Sequence, residues 1–296
     1  MTNPVKPDDD VLVSEPLVDP SRRVPIVQQE VASATTPRRV RSAKPKPQVS
    51  EIRIGQEPGY VLHSYPYKET SLILDFFSRH HGRIALIAKG AKRPHSALRS
   101  VLQLFQPILA SWTGRGEVRT LTKAEWAGMG AVLRGDGLLC GFYLNELIVK
   151  LCAREDPHPG LFDRYAAALV QLAHVEQNNQ SYSAILRAFE YALLAELGHA
   201  ASFHWCHDSD EAVEPSGQYV FVPEEGVCHA ASYLAQYPQG ELPVVLGQTL
   251  LDIEAEHYAN PTTLMQSKWL MRHILQHHLG NVTLNTRQIL IDLHNL

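Results

Sequence analysis

The chain has 296 residues, 45% of them hydrophobic and 20% charged, an ordinary globular composition with enough length for two domains. No apolar run reaches the roughly 20 residues of a membrane helix, the opening MTNPVKPDDD lacks the apolar stretch of a secretory signal, and four cysteines are too few for a disulfide scaffold. A reducing, cytoplasmic setting is therefore expected. The net charge of −4 is unevenly spread: residues 1–50 carry 8 Lys/Arg against 6 Asp/Glu, residues 51–135 carry 12 against 6, and residues 136–296 carry 7 against 19. A basic module followed by an acidic one points to an anionic partner for the first.

Residues 1–50 are rich in Pro, Ser, Thr and Val without apolar periodicity, and they predict a disordered arm with a basic cluster, PRRVRSAKPKP. Residues 51–135 read as all-β. GYVLHSYPY, TSLILDFFS, GRIALIAKG, FQPILASWTG and EVRTLTKAEW are short runs of Val, Ile, Leu and aromatics. SRHHGRIA has the form of a hairpin turning at Gly82. Five strands with one longer connection, KGAKRPHSALRSVL, suit a small closed barrel of the OB-fold type.

Residues 136–296 read as a helical domain. GLLCGFYLNELIVKLCARED, PGLFDRYAAALVQLAHV and SYSAILRAFEYALLAELG repeat apolar residues every three or four positions, and Gly198 stops the third helix. Cys140 and Cys152 fall among the apolar positions and behave as small core residues. An irregular insert over about 199–235 follows, with a strand at QYVFV. Then come VLGQTLLDIEAEHY and TTLMQSKWLMRHILQHHLG, both helical, and a short last helix in TRQILIDLHNL. The fold class is thus α+β, an N-terminal barrel followed by a helical domain.

The chain has no GxxxxGK[ST], no GxGxxG after a strand and no GxSxG elbow, and no carboxylate pair stands out as an acid/base couple. The paired histidines at 80–81 and 277–278 fall in a turn and near a helix C-terminus, where surface imidazoles are common. Nothing supports an enzyme, and a metal-dependent hydrolase built on the histidines is a poor reading.

Several stretches, taken together, are similar to one known family. YKETS at 67–71, Gly82 before a strand and AKGAKRPHSALRSVLQLFQP are followed by LTKAEW, GFYLNELIVKL, LLAELGH and NTRQIL, in order over about residues 57–294. The chain resembles the RecO family of bacterial recombination mediators. The resemblance implies an OB-fold, a helical domain and a zinc-finger-like insert within it. It also implies binding to single- and double-stranded DNA, annealing of complementary strands, contact with RecR and with the C-terminal tail of the single-strand-binding protein SSB, and help in loading recombinase onto SSB-coated DNA. A nucleoid-associated protein of the cytoplasm, without membrane contact, is the corresponding expectation. A protein-docking adaptor without direct DNA contact is the alternative.

In zinc-binding members of that family the insert carries two CxxC pairs. Here Cys206 and Cys228 stand at the first and third positions, while Ser209 and Ala231 replace the other two. Structural zinc takes four tetrahedral ligands. His204, His207 and His229 are the available substitutes, but adjacent residues such as Cys206 and His207 rarely chelate one ion. A half-lost, metal-free site is therefore expected, and no cofactor.

The expected DNA contacts are Lys89, Lys92, Arg93 and Arg99, within eleven residues, and Arg83, Arg115, Arg119 and Lys123 on or beside neighbouring strands. Tyr65, Tyr67 and Trp112 are candidates for base stacking, with core packing the blander role for each. The expected partner-binding residues are Lys150, Arg154 and Arg187, of which Lys150 and Arg154 are four apart and would share a helix face beside an apolar groove. The bland alternative is that Lys150 and Arg154 pair with Glu146 and Glu155.

Overall fold

Residue alternation shapes the first half of the computed structural model, which describes residues 52–178, 181–199, 202–280 and 282–286. The expected arm over 1–50 and nearly all of the expected last helix lie outside the described residues. Five strands, β1 (Arg53–Tyr67), β2 (Ser71–Ser78), β3 (Gly82–Ala88), β4 (Ile108–Thr113) and β5 (Val118–Trp126), close into a barrel in the order β1-β2-β3-β5-β4. Only β3 and β5 run parallel, and a short helix, α1 (Ala97–Val101), lies in the long connection between β3 and β4. This is the five-stranded barrel expected. β1 begins six residues earlier than its apolar run, because RIGQEP pairs with β4 despite a register shift between Ile54 and Glu57.

The barrel interior is Val61, Leu74, Phe76, Ile84, Leu86 and Trp112 with smaller neighbours, closed at one end by Val101 and Leu102. The opposite face of the same strands is also buried. Tyr60, Leu62 and Phe77 belong to the core of the helical half, with Tyr60 and Phe77 packed against Phe162 at 5.4 and 5.5 Å between ring centres. Strands apolar on both faces account for runs such as LILDFF, where strict alternation would leave one face wet.

The helices are α2 (Gly135–Leu151), α3 (Pro159–Ala173), α4 (Val175–Asn178) and α5 (Tyr182–Glu196). Ser181 caps α5 by accepting from the Ala184 amide at 3.0 Å. α2 stops earlier than its apolar pattern suggests. Cys152 is already extended, and residues 152–156 run beside β3, with the Glu155 amide donating to the Arg83 carbonyl at 3.0 Å. Gly82 is required at that junction: its φ is +66°, and a Cβ would stand 2.2 Å from the Asp156 carbonyl oxygen.

The insert comprises β6 (Trp205–Cys206), β7 (Glu211–Ala212), β8 (Gln218–Val222), β9 (Gly226–His229) and α6 (Ala230–Gln236). β8 is the QYVFV strand, paired with β9 and with β10 (Val245–Leu246). Two helices follow, α7 (Gly247–Glu254) and α8 (Pro261–Leu279), the second capped by the Asn260 side chain on the Thr262 amide. All described residues belong to one compact unit. Among them no helix is long and apolar enough to cross a membrane.

Candidate nucleic-acid interface

The β1–β2 turn and the β3–α1 loop meet at one end of the barrel. The Lys92 amide donates to the Thr70 carbonyl at 2.9 Å, which seats the loop on the turn. Gly90, at φ +72°, turns the chain there, and the Arg93 side chain runs past it. Lys89, Lys92, Arg93 and Arg99 are all exposed. None has a carboxylate partner among the described residues, and no acid occurs between Asp75 and Glu117. Lys92 and Arg99 together line a cavity of about 390 Å³ with Ser64, Leu72, Ala91 and Gln103. Two cations at one polar opening without a counter-charge suit an anionic group.

The turn adds a cation that sequence reasoning missed. Lys68, at φ 52°, holds its ammonium 5.4 Å from the centre of the Tyr67 ring. It lies within the family-like YKETS run, but the signal for it was positional, since only the fold brings 68 beside 89–99. Tyr65, 45% exposed, stands beside the His63 ring with centres 4.3 Å apart. Burial, and then the neighbouring Asp75 carboxylate, raises its hydroxyl above the usual range. Its open face suits base stacking, whereas Trp112 is fully buried in the barrel and Tyr67 is half-buried.

The other expected contacts are dispersed. Arg115 is exposed at the β4–β5 turn, and Lys123 pairs with Glu125 at 2.8 Å on β5. Arg83 and Arg119 tie the barrel to the segment after α2. Arg83 reaches Asp75 at 3.3 Å and donates to the Cys152 carbonyl, and Arg119 pairs with Glu155 at 2.8 Å. Both side chains are largely covered. They are struts of the junction and not members of the open cluster.

The three expected partner-binding cations do not form one face. Arg154 lies beyond the end of α2, near Asp75 at 3.7 Å, so the four-residue spacing to Lys150 is not a helical one. Arg187 is buried and its guanidinium pairs with Glu190, which also accepts from the Tyr143 hydroxyl at 2.6 Å. Lys150 pairs with Glu146 at 2.9 Å and donates to the Thr283 carbonyl, while Glu146 accepts from the amides of Asn285 and Thr286. Burial raises the Glu146 carboxyl, but bonds from Thr286, Lys150 and Asn285 outweigh it and hold the group below the usual range. This pair fastens the chain after α8 onto α2. The Glu146 pairing expected of Lys150 is present, and the Glu155 pairing falls to Arg119 instead of Arg154.

Sequence comparison bears on the same two halves. A family model described as "Recombination protein O N terminal" matches residues 53–129, and "Recombination protein O C terminal" matches 133–288. The chain belongs to the RecO family. It is 55% identical to a DNA repair protein RecO of Burkholderia lata over 260 residues, 88% of this chain and 90% of that one. It is 57% identical to one of Ralstonia nicotianae over 247 residues, 83% and 88% of the two chains, and 51% identical to one of Polynucleobacter asymbioticus over 248 residues, 84% and all of the two chains. The two matches abut between β5 and α2, where barrel gives way to helices.

Within this RecO chain the insert holds a side-chain cluster in which Asp208 is central. Cys206 Sγ donates to Asp208 Oδ1 at 2.9 Å and lies 3.3 Å from His229 Nδ1, which is 3.1 Å from the same carboxylate oxygen. The His229 amide donates to Asp208 Oδ2 at 3.1 Å. Burial raises the Asp208 carboxyl, but the bonds from Cys206, His229 and Ser232 outweigh it and bring it down to about 2, while burial pushes the Cys206 thiol up to about 11. Of the histidines considered as substitutes, His229 alone joins the cluster among the described residues. His204 pairs with Glu254, and the His207 ring packs over Gly226. Cys228 is buried with Val220 and Ala230. The donors therefore number three where a structural zinc takes four, and their spacing is that of hydrogen bonds. Asp208 was overlooked in the sequence because it stands two residues after Cys206, not at the three-residue CxxC spacing.

Proposed function

We propose that this chain is a DNA-binding recombination mediator and not an enzyme. It binds single- and double-stranded DNA, brings complementary strands together, and assists the loading of recombinase onto SSB-coated DNA in concert with RecR and the SSB tail. It needs no resident metal. The observation that carries the reading is the set of five exposed cations, Lys68, Lys89, Lys92, Arg93 and Arg99, without carboxylate partners among the described residues. Family membership supports it, since the relatives are DNA repair proteins by name. Cations spaced along a surface neutralise phosphates without reading bases, so binding is sequence-tolerant. Annealing follows from the same chemistry: the barrier to bringing two strands together is their mutual repulsion, which a basic surface lowers.

The test is binding of labelled oligothymidylate across a salt series. Replacing Lys89, Lys92, Arg93 and Arg99 with Ala removes up to four phosphate contacts, so the salt slope flattens by about 3, at roughly 0.7 per single-strand contact. A folded variant with unchanged affinity and slope overturns the reading. Wild-type protein that shows no salt-dependent binding at all favours the docking adaptor.

A further inference from the structure

The acidic half holds a second basic and aromatic face, which the barrel cluster does not include. Residues 136–296 contain only seven Lys and Arg against 19 acids. Of the described ones, Lys150, Arg154, Arg164 and Arg187 each lie within ion-pairing distance of a carboxylate. Lys268 and Arg272 are the exceptions: both are exposed on α8, and neither has a carboxylate partner among the described residues. They are four residues apart on one helix, so their side chains share a face. At the edge of that face stands Trp269, 48% exposed, three residues before Arg272, with Met265, 49% exposed, one turn earlier. The inner positions of α8, Leu270, Met271, Ile274 and Leu275, account for its packing without any of these four.

Trp269 is the i, i+3 neighbour of Arg272, which is itself the i, i+4 neighbour of Lys268, so the half-exposed indole borders a face that carries the two uncompensated charges of a domain that is otherwise acidic. We propose that this face of α8 is a second contact for single-stranded nucleic acid, with a base stacked on Trp269 and phosphates on Lys268 and Arg272. The geometry favours nucleic acid over an acidic peptide. A peptide with an apolar end needs a concave groove to receive it. A base needs only an accessible π-face with cations beside it. The inference rests on the reading of the protein as DNA-binding, and it assigns the annealing step two separate holds, one strand on the barrel and the other on α8.

The experiment compares three full-length proteins: wild type, the barrel variant with Ala at Lys89, Lys92, Arg93 and Arg99, and an α8 variant with Lys268→Ala, Trp269→Ala and Arg272→Ala. The α8 variant binds a short oligothymidylate within about twofold of wild type, because the barrel remains, but anneals complementary strands about tenfold more slowly, the order of effect of losing one stacked base and its phosphates. Trp269→Phe alone restores most of the rate by keeping a stacking face. Bromodeoxyuridine-substituted oligothymidylate crosslinks to α8 in the barrel variant, which isolates this site. Annealing at the wild-type rate by the folded α8 variant, or crosslinks confined to the barrel, overturns the proposal and leaves the barrel reading intact. Loss of binding to an acidic, aromatic-ended peptide with annealing unchanged overturns it in favour of a protein partner. A barrel variant that binds and anneals like wild type, with crosslinks on α8, sinks the barrel reading and supports this one.

Discussion

Asp208 shows how a single carboxylate can hold two parts of a small insert together. Between the two hairpins of the insert it receives the Cys206 thiol, the His229 amide and the His229 ring, and so joins β6 to β9. Charge-assisted hydrogen bonds of this kind are worth roughly 1.5–3 kcal/mol each where they are shielded, and less where water competes. The purified protein is accordingly expected to carry well under one zinc per chain, and a chelator to leave its melting temperature unmoved. One tightly held zinc, lost together with stability on Cys206→Ser, would overturn this. At this scale the sequence was legible in residue type and not in partner. Ser209 and Ala231 were legible as residues other than Cys, but the role of Asp208 was not, because hydrogen-bond partners across a hairpin leave no fixed spacing. The same limit applies to Arg83, Arg119 and Arg187. As isolated cations they look like Lys89 or Arg99, and only the fold sets Asp75, Glu155 and Glu190 against them.

Elements were legible where one period dominates and obscure where two requirements meet. β2, β3, β8 and α8 match their apolar runs closely, since each has a continuous buried face. The end of α2 was obscure: LCARED continues the helical pattern, yet its backbone is recruited by β3, so tertiary pairing overrides local propensity. Gly82 carries the cost of that recruitment, with Asp156 packed where its side chain would be. Gly90 offers the comparison, because it has a similar φ of +72° but its nearest neighbour is the flexible Arg93 side chain at 3.5 Å. Gly90→Ala is expected to cost about 1–2 kcal/mol, the price of the left-handed conformation alone. Gly82→Ala adds the displacement of residues 152–156 and should cost at least about 2 kcal/mol more. Urea denaturation of both variants measures the difference, and equal losses would show that the junction yields freely.

At the scale of the whole molecule, the barrel and the helices share a core although their charges differ in sign. The basic surface lies on one end of the barrel, while its lateral face is apolar and covered, through Tyr60, Leu62 and Phe77 packed on α3. A buried polar group also crosses this contact. Asn145 Nδ2 donates to the Leu62 carbonyl at 2.8 Å, and Asn145 Oδ1 accepts from the Tyr165 hydroxyl at 2.6 Å, all three residues being buried. That Asn lies within GFYLNELIVKL, a run whose family likeness gave no hint of its task. Asn145→Ala strands a backbone carbonyl and a tyrosine hydroxyl away from water, at about 1–3 kcal/mol for each buried group left unsatisfied. Because the lesion lies in the shared core, it should lower the stability of both halves together. Calorimetry and far-ultraviolet circular dichroism of the wild type should give one coincident transition, and in the Asn145→Ala variant the same single transition at lower temperature. A barrel transition that stays in place while the helical one falls would mean that the two halves are stable separately and that their contact contributes little to either.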